Sequence, residues 1–371
     1  MSASPRRTRI EGGCKHTMAP GDDPTFLATA APQSETMLEE HLSRPRDGTI
    51  QTLARLDGDI LVLGAGGKMG FSLCAMARRS LDAAGQAGRR VIAVSRFGDD
   101  AVAARFRDNG ITVIACDLLD DGVLAALPDA PNVLYLAGMK FGSSGNLAAT
   151  WALNTFLPGL VAQRFRGARI VALSTGNVYA FSDTRSSGAK EIDPPAPVGE
   201  YAQSCLGRER VFTYFSEQYS TPTTLIRLNY ANDLRYGVVL DIARAVRSGQ
   251  PLDVTMGHVN VIWQGDADAA ILQSFALCAS PPAVLNICGP RTETVRGLAL
   301  RLAELLGVPP PTFTGSEAAT ALLSDGSRQQ ALFGSPRVPL DILLAWTASW
   351  LRQGGPTLQK PTGFEKRDGK F

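Results

Sequence analysis

The stretch LVLGAGGKMG at positions 61–70 constrains this 371-residue chain more than any other. An apolar run, Asp59-Ile60-Leu61-Val62-Leu63, gives way at once to glycines at 64, 66, 67 and 70, and a helical pattern follows. Glycine lacks a Cβ, so it permits a tight turn and lets backbone N–H groups approach an anion at the start of a helix. A strand, a G-x-x-G-x-x-G turn and a helix in that order form the setting in which a dinucleotide pyrophosphate is held. Gly64, Gly67 and Gly70, with Gly66, Lys68 and Met69 among them, are the candidate residues. The plain alternative is a tight turn without a ligand.

Downstream, strands and helices alternate. VIAVS (91–95), TVIAC (112–116), NVLYLAG (132–138), ARIVALS (168–174) and TTLIRLN (223–229) read as strands, and 68–84, 98–109, 147–164 and 200–218 as helices. The strands are near-continuous apolar runs, as expected for parallel strands covered on both faces. This order predicts an α/β fold with a Rossmann-type doubly wound parallel sheet. After 229 the pattern loosens into helices at 238–248, 265–279 and 339–353, a short strand in LNICG, and the amphipathic ETVRGLALRLAELLG closed by Gly307. That predicts a smaller C-terminal α/β substrate lobe. The expected division is a disordered tail at 1–23, a helical extension at 24–57, a nucleotide-binding domain at 58–229 and a substrate-binding lobe at 230–371. The last segment, TLQKPTGFEKRDGKF, is polar.

Composition narrows the partners. Lys and Arg number 37 against 35 Asp and Glu, a net charge of +2 that gives no sign of a nucleic-acid partner. No apolar run approaches the ~20 residues that span a bilayer. Six cysteines lie scattered without C-x-x-C spacing and read as reduced thiols of a cytoplasmic protein. His16, His41 and His258 are too dispersed for a His-based metal cluster, so no metal is expected. Arg6, Arg7, Arg9 and Lys15 come without an apolar core, which excludes a secretory signal. A transit peptide, or a start at Met18, are the other readings of this segment.

The end of the second strand speaks to the choice of dinucleotide. An NAD-selective site places Asp or Glu there for the ribose 2′-hydroxyl, whereas this chain has Ser95-Arg96. A guanidinium suits a 2′-phosphate, so NADP is favoured over NAD. Arg96 as a solvated loop residue, or stacked on adenine, is the alternative.

With these elements in place, the chain resembles the extended short-chain dehydrogenase/reductases, the NAD-dependent epimerase/dehydratase family, over roughly 58–290. GAGGKMG matches the family's glycine turn. CDLLD places Asp117 and Leu118 where the family contacts adenine. YLAGMK, with Ala137, Gly138 and Lys140, resembles the fourth-strand segment lining the cofactor. Asn154, in TWALNTFLPGL, falls at the family's helix asparagine. STGNVYA resembles its S-S/T-x-x-V-Y-G segment and puts Thr175 at the catalytic Ser/Thr position; Tyr201, 26 residues later, falls at the catalytic tyrosine. The resemblance implies an NAD(P)-dependent oxidoreductase in which the tyrosine is the acid/base and the Ser/Thr hydroxyl orients the substrate oxygen. A lysine four residues past the tyrosine would hold the nicotinamide ribose and lower the tyrosine pKa. The resemblance also implies a homodimer paired through helices 147–164 and 200–218.

That lysine is missing. YAQSCLGRER (201–210) has Cys205 in its place. A free tyrosine titrates near ~10, so about 0.1% is phenolate at neutral pH, and a nearby cation worth three pKa units contributes roughly 4 kcal/mol. Three readings stay open. Another cation substitutes: Arg208 shares a helix face with Tyr201 and Cys205 at i, i+4 and i+7, and Lys140 approaches from the fourth strand. Alternatively Cys205 acts directly as a thiolate. Or redox chemistry is lost and the domain is a catalytically silent NAD(P)-binding regulator or scaffold.

A second departure concerns the substrate. Where nucleotide-sugar enzymes of the family carry a segment resembling G-x-P-x-x-V-x-G-x-G-x-x-R-D, this chain has GQPLDVTMGHVNVIW, with Val259-Asn260 in place of Arg-Asp. A neutral segment cannot pair with a diphosphate as a bidentate guanidinium does. This points to a small sugar, sugar acid or similar hydroxy or keto compound, with a nucleotide-sugar epimerase or dehydratase as the alternative. Asn260 and Trp263, with His258 and Gln264, are candidates to line such a pocket, as is Asn177. Asn229 and Tyr230 stand just past the sixth strand, where ligands of such sheets sit.

Overall fold

The computed structural model describes residues 30–140, 142–360 and 362–370. The expected tail at 1–23, and 24–29 of the expected extension, lie outside the described residues. Seven parallel strands make the central sheet: β1 (Ile60–Leu63), β2 (Val91–Ser95), β3 (Thr112–Ala115), β4 (Asn132–Tyr135), β5 (Arg169–Thr175), β6 (Thr223–Leu228) and β7 (Ala283–Ile287). Their order is β7-β6-β5-β4-β1-β2-β3. The order reverses between β1 and β4, and a doubly wound sheet opens its ligand crevice at that switch point.

The two faces follow from the period of two along a strand. Ile60, Val62, Val91, Ala93, Leu134, Val171 and Ile226 join one buried cluster, with helix Gly70–Ala83 and helix Gln264–Gln273. Their neighbours Leu61, Leu63, Ile92, Val94, Val133, Tyr135 and Leu225 join another, with Leu157, Val161 and Phe212. Both faces are therefore packed. β3 is the exception, a partly exposed edge strand.

A third core holds the C-terminal lobe together, built from helices Val238–Ser248, Val295–Leu306 and Leu340–Arg352. The N-terminal extension ties the lobe to the sheet. Helix Glu35–Ser43, capped by Ser34 Oγ accepting from Met37 N at 3.2 Å, puts Leu38 and Leu42 into the lobe core. The next helix, Asp47–Ala54, puts Leu53 into the sheet core. Among the described residues no helix is long and apolar enough to cross a membrane.

Two elements differ from expectation. Strand β7 lies in the stretch expected to form the substrate lobe, yet it returns to pair with β6 along five residues. The boundary at 229 is thus no clean cut. The polar segment after Gly355 folds back over the molecule, with Thr362 and Phe364 buried.

Candidate active site

A cavity of ≈570 Å³ opens at the switch point. Of the residues expected to hold a dinucleotide, Gly64, Gly66, Gly67, Lys68, Ser95, Arg96, Asp117, Leu118, Ala137, Gly138 and Lys140 line it. Two glycines are required by geometry. Gly64 has φ +88°, and a Cβ there would stand 2.5 Å from Ala137 N. A Cβ on Gly70 would collide with the Ala65 carbonyl. Met69 and Gly70 are buried at the start of the helix rather than on the cavity wall. No side chain caps that helix, which suits a start that receives an anion. The site thus fits a dinucleotide: a side-chain-free cradle, a helix start and room for a large ligand. At the β2–β3 end of the cavity Arg96 is three-quarters exposed and stands 3.8 Å from the Asp117 carboxylate.

Asn154 does not line the cavity but holds Met139, which does. It sits in a π-helical turn, Ala152–Phe156, between helices Leu147–Trp151 and Leu157–Arg164. Its Oδ1 accepts from Met139 N at 2.8 Å, and its Nδ2 donates to Met139 O and to Ser204 Oγ, each at 2.9 Å. This clamps the segment after β4 to helix Glu200–Tyr219.

Thr175 ends β5, and Tyr201 stands in the first turn of helix Glu200–Tyr219. The Tyr201 hydroxyl hydrogen-bonds to Thr175 and to the Cys205 thiol. Burial pushes the Tyr201 hydroxyl well above its usual range, and Arg208 pulls it back. Burial likewise raises the Cys205 thiol, while Arg208 and the hydrogen bond with Tyr201 lower it. Arg208 is buried beneath them. It donates to Leu173 O at 2.6 Å and Asn154 Oδ1 at 2.9 Å, and a Cβ on Gly138 would collide with it. A second cation comes from the β4 loop. Lys140 lowers the Cys205 thiol, and burial brings its own ammonium down to about 8.

A small cavity of ≈30 Å³ adjoins, lined by Lys140, Asn177, Tyr179, Tyr230 and Phe364 among others. Lys140 belongs to the walls of both cavities.

Residues 60–254, just over half of the chain, match the model of the NAD dependent epimerase/dehydratase family. The chain belongs to that family. No curated protein matches it in sequence. Solved structures do match in fold. MoeE5 in complex with UDP-glucose and NAD is 22% identical, with a TM-score of 0.65, and the match covers 80% of this chain and 99% of that one. UDP-glucuronic acid 4-epimerase from Bacillus cereus, in complex with UDP-glucuronic acid and NAD, is 18% identical with a TM-score of 0.66 and the same coverage. UDP-glucose 4-epimerase from Thermotoga maritima is 19% identical, with a TM-score of 0.65, again over 80% of this chain and 99% of that one.

Within this family member, three expected substrate residues line neither of these two cavities. Asn229 is 3% exposed and donates to Asn260 Oδ1 at 3.0 Å and Leu322 O at 3.3 Å. Asn260 donates onward to Ser324 O, so both amides are spent on joining loops. Trp263 is buried in the lobe core, edge-on to Trp346. Of the substrate candidates, Asn177 and Tyr230 alone line the small cavity. Tyr230 reaches it with a positive φ of 48°. Sequence reading missed Tyr236, Leu358 and Lys360, which close the large cavity from the lobe and the C-terminal segment. It also missed the ionic cluster next to Thr175 and Arg208. There Glu209 accepts from Ser174 Oγ at 2.6 Å and pairs with Arg227 at 2.8 Å, and Arg227 donates to Tyr179 Oη at 2.8 Å.

Proposed function

We propose that this protein is an NAD(P)-dependent oxidoreductase of the epimerase/dehydratase type, acting on a small sugar, sugar acid or similar hydroxy or keto compound. The observation that carries the reading is the Tyr201 hydroxyl bonded to Thr175 with Arg208 acting on it, on a helix that Asn154 ties to Met139 in the wall of the glycine-cradled cavity, although neither Thr175 nor Tyr201 lines that cavity itself. A nicotinamide bound in that cavity would supply hydride transfer to and from a carbinol carbon.

The chain's own residues handle the proton. Tyr201 Oη takes the proton of a substrate hydroxyl and returns it, and Thr175 Oγ1 orients that oxygen. Arg208 supplies the positive potential that the absent lysine would give, offsetting part of the desolvation that holds the tyrosine neutral, and Lys140 adds to it through its action on the neighbouring Cys205. Cys205 acts as a neutral neighbour. The test of the substitution is Lys140→Met, which lowers turnover about tenfold or more while Tyr201 and Thr175 remain. Unchanged turnover removes Lys140 from the account.

The exposed Arg96 supports a 2′-phosphate, and Asp117 beside it opposes one. The structural relatives bound to NAD leave both dinucleotides in play, with NADP favoured by the missing carboxylate after β2. A nucleotide-sugar epimerase is the second reading, favoured by the UDP-sugars bound to the same relatives. Leu147, Trp151, Phe156 and Tyr214 stand exposed on helices Leu147–Trp151 and Glu200–Tyr219 and the π turn between the first of these and Leu157–Arg164. These large apolar side chains support a homodimer through this surface. The five described cysteines, all free, suit a cytoplasmic protein.

A further inference from the structure

The C-terminal segment lies across the carboxyl ends of the strands. Leu358 N donates to Arg235 O at 3.0 Å, and Thr362 N donates to Asp241 Oδ2 at 2.7 Å. Phe364 is 7% exposed and packs into the lobe core. Beyond it, Arg367 donates twice to Thr320, at 2.7 Å each, and its guanidinium lies 4.3 Å over the Phe181 ring. The Lys140 ammonium donates to Thr362 O at 3.2 Å, so the segment also holds a cation of the catalytic cluster.

Beneath it the space next to Asn177, Tyr179 and Tyr230 is only ≈30 Å³, with Gly363, Phe364 and Lys366 as its other wall. That is about the volume of one small functional group, whereas drug-sized ligands fill pockets of roughly 300–1,000 Å³. The segment therefore fills most of the space that adjoins the large cavity at Lys140 and lies beside Asn177, whose N–H donates to Thr175 Oγ1.

We propose that residues 356–360 and 362–370 are the specificity-determining wall of this site. Seated, the segment reserves the cleft for the reacting end of a small hydroxy or keto compound and keeps nucleotide-linked sugars out. This rests on the oxidoreductase reading and names its substrate class. It is the physical counterpart of the neutral Val259-Asn260 pair: a chain that shuts out the nucleotide has no use for a diphosphate-binding arginine.

The test is calorimetric titration of the full chain with UDP-glucose. The wild type is compared with Phe364→Asp/Arg367→Ala, which puts a charge in the lobe core and cuts the bonds to Thr320. Arg367→Ala alone leaves the core intact and serves if the double variant does not fold. The expected result is UDP-glucose binding at least about tenfold tighter in the unseated variants than in the wild type. Equal affinity in wild type and variants overturns the proposal. A parallel NAD⁺ titration reads the glycine-lined cavity: its failure in the wild type counts against the oxidoreductase reading, while the wall is judged on the UDP-glucose difference alone.

Discussion

Glu209→Ala strikes the point where the fold supports the chemistry. Glu209 is 3% exposed and its partner Arg227 5%. The carboxylate accepts from Ser174 Oγ at 2.6 Å, from Arg227 Nη2 at 2.8 Å and from Arg227 Nε at 3.1 Å. Its removal leaves the guanidinium buried with Tyr179 Oη and the Glu191 carbonyl as acceptors. Breaking a buried pair from one side costs about 3–5 kcal/mol, because the remaining charge is uncompensated. Replacing both partners, as Glu209→Leu with Arg227→Met, removes that charge and is expected to recover most of the loss. Urea denaturation of Glu209→Ala against the wild type measures the first effect, and the wild type, Glu209→Leu, Arg227→Met and their double variant close a double-mutant cycle for the second. Ser174 adjoins Thr175 and Glu209 adjoins Arg208, so the single variant is also expected to loosen the Thr175–Tyr201 contact and lower turnover. A loss below about 1 kcal/mol in Glu209→Ala would refute the reasoning, since a buried unpaired guanidinium cannot be that cheap.

Three further predictions follow from the same geometry. Lys140 is charged below about 8 and loses its proton as pH rises through that value, so activity that needs its charge is present below and fades above. The alkaline limb of kcat/KM near pH 8 is expected in the wild type and absent from Lys140→Met. Arg96→Ala weakens NADPH binding by about tenfold and leaves NADH within a factor of about two, if the guanidinium meets a 2′-phosphate; calorimetry decides. Phe156 and Tyr214, each 61% exposed, are the most exposed aromatics of the surface proposed for dimerisation, and light scattering is expected to give a dimer mass for the wild type and a monomer mass for Phe156→Glu.

The parts of this molecule legible in the sequence are those encoded locally. The glycine turn announces itself because backbone crowding at Gly64 and Gly70 admits no side chain. The i, i+4, i+7 spacing of Tyr201, Cys205 and Arg208 sufficed to find the buried cation, since one helix fixes all three. What required the third dimension was less visible. LNICG reads as a strand, but nothing local says that it pairs with β6. Position just past a strand placed Asn229 at the cleft, whereas its side chain turns inward to Asn260. The run 147–164 reads as one helix, yet a π turn interrupts it and carries Asn154, the residue that grips Met139. The closing segment reads only as polar from its composition, and nothing local says that Phe364 buries itself and anchors it.

The central claim is that Tyr201 remains an acid/base although Cys205 stands in place of the family's lysine. The most direct measurement is absorbance at 340 nm after mixing the purified protein and oxidised cofactor with a panel of free sugars and sugar acids, alongside Tyr201→Phe. The account predicts a substrate-dependent rise in the wild type that falls by at least about a hundredfold in rate in Tyr201→Phe, with cofactor affinity retained. Tight cofactor binding without any absorbance change across the panel, or an equal rate in Tyr201→Phe, would contradict it.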